Sequence, residues 1–137
     1  MLKAKDLMTK NVISVKKDTP IVEAVKLLAE HDVTGVPVIE DDMTLVGILS
    51  EKDLLRLFCC SENITDNTVK DFMTQPAIHF DENESFDEVC KCLLNHFFRR
   101  VPVTSNGKVV GIISRPDIID YILKEKYNLT TIRRPRH

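Results

Sequence analysis

Val46-Gly47-Ile48-Leu49-Ser50-Glu51-Lys52-Asp53 returns later in the chain as Val110-Gly111-Ile112-Ile113-Ser114-Arg115-Pro116-Asp117. Each stretch is an apolar run that ends on a serine, with an aspartate three residues further on. Working outward, Val36-Pro37-Val38 recurs as Val101-Pro102-Val103, and Asp6-Leu7-Met8-Thr9 recurs as Asp71-Phe72-Met73-Thr74. The offset is 65 residues from Lys5 (to Lys70) through Val38, and 64 from Leu45 (to Val109) onward, so the copies differ by one deletion in the intervening loop. A period this long marks a duplicated folding unit, not a heptad or a low-complexity tract. The copies span 1–60 and 69–127, with 61–68 as a linker and 128–137 as a basic tail. Two copies of one unit predict a pseudo-twofold body whose related surfaces face each other across a cleft, where function is to be sought.

Composition narrows the class. The 137 residues are 43% hydrophobic and 29% charged, with net charge −2. That is the balance of an ordinary globular domain, or of two small lobes that share a core and are not stable separately. A dedicated nucleic-acid binder is usually more basic. The N-terminus lacks the apolar run of a signal peptide, and no segment approaches the roughly 20 apolar residues of a membrane span. The expectation is a cytoplasmic protein with no membrane partner.

Each copy reads as strand, helix, strand, strand, helix. Val12 to Val15 is a short β-rich run, and Thr19-Pro20 reads as an N-cap followed by a first-turn proline. Apolar residues at Ile21, Ala24, Val25, Leu28 and Ala29 give one buried helical face. Phe86, Val89, Cys90, Leu93, Leu94 and Phe97 repeat it, behind a capping box of Ser85 and Glu88. Val36–Ile39 with Leu45–Ser50 reads as a hairpin, and its copy turns at Ser105-Asn106-Gly107, where Asn-Gly readily takes positive φ. Final helices are expected from about Lys52 to Cys60 and from Pro116 to about Lys126. Leu54, Leu57 and Phe58, with Ile118, Tyr121 and Ile122, make these helices apolar on more than one face, which predicts a homodimer.

Cysteines and histidines offer little chemistry. Cys59 and Cys60 are adjacent, and Cys90 and Cys92 are one residue apart, so neither pair has the spacing of a zinc site. Cys90 aligns with Val25 and Cys59 with Leu123, which predicts small buried hydrophobes at both positions. His31 and His96 are repeat equivalents near helix C-termini, where the helix dipole favours a cation. Phosphate-loop, dinucleotide and hydrolase motifs are absent, and the four glycines fit turns or strand starts.

The richest constellation is the pair of Ser-x-x-Asp runs. Each lies where a strand turns into a helix, whose unpaired N–H groups can hold a phosphate without a glycine-rich loop. The serine can donate to a phosphate or sugar oxygen, and an ionised aspartate can only accept, which suits a ribose diol. Ser-x-x-Asp is equally a helix capping box that needs no ligand. Lys52, Arg115, Arg99 and Arg100 supply cations around the two helix starts, while Thr34 and Gly35 occupy the places of Arg99 and Arg100 in copy one. Converging, such cations could neutralise a di- or triphosphate. As single residues they read equally as solvated surface charge.

Taken together, Asp-x-Met-Thr, Val-Pro-Val and Gly-x-x-Ser-x-x-Asp, each twice and in order, resemble a pair of CBS domains, the regulatory module named after cystathionine β-synthase. The resemblance covers Lys5 to about Lys126. It implies an α/β (α+β) fold of two β-α-β-β-α repeats packed with pseudo-twofold symmetry and adenosine-containing ligands in the cleft. It also implies that Ser50 with Asp53, and Ser114 with Asp117, contact phosphate and ribose. Val12, Ile13, Val36 and Pro37, and in the second copy Ala77, Ile78, Val101 and Pro102, would line adenine slots.

About ten residues follow the last helix, so a stand-alone pair is expected, acting on a separate protein effector. The leading reading is a non-catalytic sensor of an adenine nucleotide, AMP, ADP or ATP, with AMP or ATP foremost and no cofactor. The alternatives are an interaction module with empty sites, and a binder of S-adenosylmethionine or a dinucleotide. An enzyme or metal protein built on the cysteines and histidines is a third class. The tail Arg133-Arg134-Pro135-Arg136-His137 could engage nucleic acid or an acidic partner, although a charged chain end more often has no partner and nucleic acid is not the expected one.

Overall fold

The computed structural model describes residues 2–59, 66–95 and 99–129, with the side chain of Phe58 excepted. Cys60, residues 61–65 of the expected linker, His96, Phe97 and the tail from 130 lie outside the described residues. In chain order the elements are α1 (Ala4–Leu7), β1 (Val15–Lys16), α2 (Ile21–His31), β2 (Gly35–Ile39), β3 (Leu45–Ser50) and α3 (Glu51–Cys59). A 3₁₀ turn at Val69–Asp71 leads to β4 (Phe80–Asp81), α4 (Phe86–Asn95), β5 (Arg100–Ser105), β6 (Lys108–Ser114) and α5 (Arg115–Tyr127). The mixed α/β class and the repeated order of elements agree with the sequence.

The chain divides into two compact units whose borders cross the repeats. One unit is Ile13–Ala77, and the other joins the residues up to Val12 to those from Ile78 onward. Each unit therefore holds the sheet and helices of one copy together with the opening Asp-x-Met-Thr segment of the other.

In the Ile13–Ala77 unit the sheet order is β1-β2-β3, with β1 parallel and β3 antiparallel to β2. Ile21, Ala24 and Leu28 of α2 pack on Val15, Val36, Val38 and Leu49, and Leu57 of α3 closes the cluster. Val69, from the opening of copy two, is fully buried among them. The other unit repeats the plan with order β4-β5-β6. Its core gathers Phe80, Val89, Leu93, Val101, Val103 and Ile113, and the borrowed residues are Ala4 and Leu7 of α1. Burying these apolar side chains is what retains the exchanged segments, at about 25 cal/mol for each Å² removed from water.

The exchange explains why the motifs come as a set. Asp6 Oδ2 accepts the Lys3 N–H at 2.8 Å and Asp71 Oδ2 the Thr68 N–H at 2.9 Å, so each motif aspartate closes a short helical turn. The motif threonine then adds a bridge to the sheet edge. Thr74 and Ile48 exchange backbone hydrogen bonds of 2.8 and 2.9 Å, as do Thr9 and Ile112. Gly47 and Gly111 lie inside β3 and β6, not at strand starts or turns as the sequence suggested. A Cβ on Gly47 would stand 2.7 Å from the Thr74 carbonyl oxygen, and one on Gly111 would stand 2.6 Å from Met8 Cγ. Only glycine admits so close an approach.

Several local expectations change. The strand expected at Val12–Val15 is confined to Val15–Lys16, which alone pair with β2. Thr19 does not cap α2, because its Oγ1 accepts the Lys16 N–H at 3.1 Å and Pro20 holds the cap position. Ala29 and Leu94 are exposed, the latter at 83%, which narrows both buried helical faces. Cys59 is exposed rather than buried, and Cys90 is half-buried. The second hairpin turns at Asn106 (φ 52°) and Gly107 (φ 80°), the positive dihedrals expected of Asn-Gly. Among the described residues no helix is long and apolar enough to cross a membrane.

Candidate functional site

The start of α3 is held by a dense set of hydrogen bonds. Asp53, only 1% exposed, accepts the Ser50 N–H at 2.9 Å and the Ser50 hydroxyl at 3.1 Å, both on Oδ2. Its Oδ1 accepts the Thr74 hydroxyl at 2.9 Å and pairs closely with Arg56 Nη2. Arg56 Nη2 also reaches the Phe72 carbonyl at 3.4 Å. A carboxylate offers about four acceptor positions, and Asp53 accepts four hydrogen bonds. The side chain caps the helix and ties it to the docked opening segment of copy two. Thr34 and Gly35 lie alongside, since Gly35 is in register with Ser50 and Thr34 O accepts the Glu51 N–H at 2.8 Å. Lys52 is exposed on the first turn.

The start of α5 shares the cap and differs around it. Asp117 Oδ2 accepts the Ser114 N–H at 2.9 Å and the Ser114 hydroxyl at 2.7 Å, which completes a capping box. Asp117 is half-buried, and the residue three positions on is Asp120, where α3 carries Arg56. Arg100 is in register with Ser114, and Arg115 N–H donates to Arg99 O at 3.3 Å, so sheet pairing brings both arginines beside the helix start. The Arg115 guanidinium donates to Leu93 O at 3.4 Å, facing the last turn of α4 where carbonyls carry partial negative charge.

The expected adenine-lining residues are placed unevenly. Val36, Pro37, Val101 and Pro102 are buried in the two sheets. Val12 and Ile13 are half-buried, Ala77 is buried and Ile78 is 41% exposed. Val12 and Ile78 belong to one compact unit, Ile13 and Ala77 to the other. Two contributors were missed by sequence reasoning. Arg56 could have been found as a cation one helical turn from Asp53. Thr74 could not, because it reaches Asp53 only through the exchange of opening segments.

Burial pushes the Cys90 thiol up from its ordinary value, with Asp87 adding to the effect, and burial with Glu84 does the same for Cys92. Both are thereby kept as thiols, poor nucleophiles and poor metal ligands. Among the described residues no cluster of three or more His, Cys, Asp or Glu could hold a metal ion.

The CBS-domain family model matches residues 4–59 and 69–124. The chain belongs to the CBS-domain family. It is 32% identical to the uncharacterized protein MJ1225 of Methanocaldococcus jannaschii over 116 residues, covering 84% of this chain and 41% of that one. It is 31% identical to the chloroplastic CBS domain-containing protein CBSX2 of Arabidopsis thaliana, covering 88% and 63%. It thus spans less than two thirds of either relative. The structure of CBSX2 in complex with AMP matches at 34% identity and a TM-score of 0.81, covering 92% of this chain and 99% of that one. The CBS domain pair of protein MJ0100 in complex with 5-methylthioadenosine and S-adenosyl-L-methionine matches at 28% identity and a TM-score of 0.75, covering 89% and 96%.

Proposed function

We propose that this CBS pair is a non-catalytic sensor of an adenine nucleotide, AMP or ATP, which passes ligand binding to a separate protein. The observation that carries the reading is the duplicated strand-to-helix turn with Ser-x-x-Asp, in a chain that is 34% identical to a protein whose structure holds AMP. The N–H groups of each helix start and the serine hydroxyl favour an anion, and the aspartate favours a sugar hydroxyl. Ser50, Lys52 and Asp53 would serve one site, and Ser114, Arg115 and Asp117 the other. Arg99 and Arg100 would favour the polyphosphate at the second site, because a Coulomb attraction grows with ligand charge.

Calorimetry of the full chain against AMP, ADP, ATP, S-adenosylmethionine and a dinucleotide tests this. Ligand at about 100 times its dissociation constant stabilises the native state by roughly 2.7 kcal/mol. The melting temperature should rise accordingly, and silence towards the whole panel at millimolar concentration would leave only an interaction module. Replacing Arg99 and Arg100 with Gln should weaken ATP more than AMP, and adenosine hardly at all. S-adenosylmethionine is the second reading, favoured by the MJ0100 complex.

The same reading carries a homodimer, with its patch redrawn. Leu57 is in one core, and Ile118 and Tyr121 pack against the other, so the exposed apolar positions are Leu55 at 64% and its repeat equivalent Ile119 at 56%. Light scattering that found a stable 15.7 kDa species at micromolar concentration would remove the dimer.

A further inference from the structure

The two aspartates that the nucleotide reading assigns to ribose are not in equivalent surroundings. Asp53 is 1% exposed and its four acceptor positions are taken, two by Ser50, one by Thr74 and one by Arg56. A ribose hydroxyl can be accepted there only if one of those donors withdraws. Ser50 is one residue from the helix and its N–H is fixed by the cap. Thr74 is pinned by its paired backbone hydrogen bonds to Ile48. Arg56 is the donor free to move, because its side chain is 62% exposed and can exchange Asp53 for water. At the corresponding place on α5 stands Asp120.

We propose that Arg56 is a latch on the first nucleotide site, which ribose hydroxyls must displace from Asp53. The proposal rests on the adenine-nucleotide reading and adds to it a residue that controls access to Asp53. Displacement also draws Arg56 away from the Phe72 carbonyl, a contact that, beside that of Thr74 with Asp53, joins α3 to the segment docked from copy two. Occupancy of the first site therefore loosens one strut of the exchanged segment.

The test is calorimetry of the full chain with adenosine and with AMP, for the wild type, Arg56→Gln and Arg56→Ala, each also carrying Asp117→Ala to silence the second site. Both Arg56 variants should tighten the remaining site by about two- to fivefold, the range expected for an ion pair with one exposed partner. Adenosine and AMP should gain by the same factor, because the hydroxyls, not the phosphate, compete with the guanidinium. Thermal melts establish that each variant is folded. Unchanged affinity in both folded variants overturns the latch, and so does a loss confined to AMP, which would make Arg56 a phosphate ligand. Failure of the parent chain, with Asp117 intact, to bind either compound at millimolar concentration sinks the nucleotide reading itself and the latch with it. That result is distinguishable from the others because no variant background is involved.

Discussion

The starts of α3 and α5 carry the same Ser-x-x-Asp signature and the same cap, yet one aspartate is sealed and the other is half-buried. Two neighbours close Asp53. Arg56 stands where α5 has Asp120, and the Thr74 hydroxyl closes on Asp53 at 2.9 Å. The motif is the same in both copies, while the residues around it differ.

The largest expected effect on this comparison comes from removing the aspartates. Asp53→Ala removes a fully buried acceptor and strands the half-buried Ser50 N–H, and should cost about 2 to 3 kcal/mol of stability. Asp117→Ala loses a cap and should cost about 1 kcal/mol. Urea unfolding of both variants checks this, and equal losses would show that the burial of Asp53 adds nothing.

Next come the glycines that admit the exchanged segments. Alanine at either should cost about 1 to 3 kcal/mol by overpacking. At Gly47 the obstacle is the Thr74 carbonyl, so Met73→Ala should give little rescue, whereas at Gly111 the nearest atoms all belong to Met8, so Met8→Ala should recover part of the loss. Double-mutant cycles read the contrast directly, and equal rescue would contradict the geometry.

A smaller effect is expected when the exposed partner of Asp53 is changed. Arg56→Gln should lower stability by no more than about 1 kcal/mol, since water screens a 62% exposed guanidinium. A much larger loss in denaturant midpoint would make Arg56 a structural keystone and not a displaceable donor. The smallest effect concerns the thiols. Cys59 should be alkylated faster at neutral pH than Cys90 or Cys92, whose titrations are raised by burial. Rates should converge as pH rises towards the thiol range, because the thiolate is the reacting form, and mass-spectrometric mapping follows each residue.

Much of this was legible before any coordinates. The Asn106-Gly107 turn, the strand pairs around Val-Pro-Val and the helices that follow Ser50 and Ser114 all depend on local dihedral preference and short-period burial, which a sequence displays. The misreadings share one cause. Cys59 reads as a core residue, and Gly47 and Gly111 as turn glycines, yet each is decided by a neighbour distant in the chain or by the lack of one.

By itself, then, the sequence determined that the fold is duplicated, which elements each copy contains, and that Ser50, Asp53, Ser114 and Asp117 stand at helix starts. Only the tertiary structure decided that each Asp-x-Met-Thr segment docks on the sheet of the other copy, and that Asp53 thereby meets the Thr74 hydroxyl. The physical reason is one of range. Capping and periodicity act over three or four residues, whereas the environment of a carboxylate is set by whichever chain packs beside it, here 21 residues away.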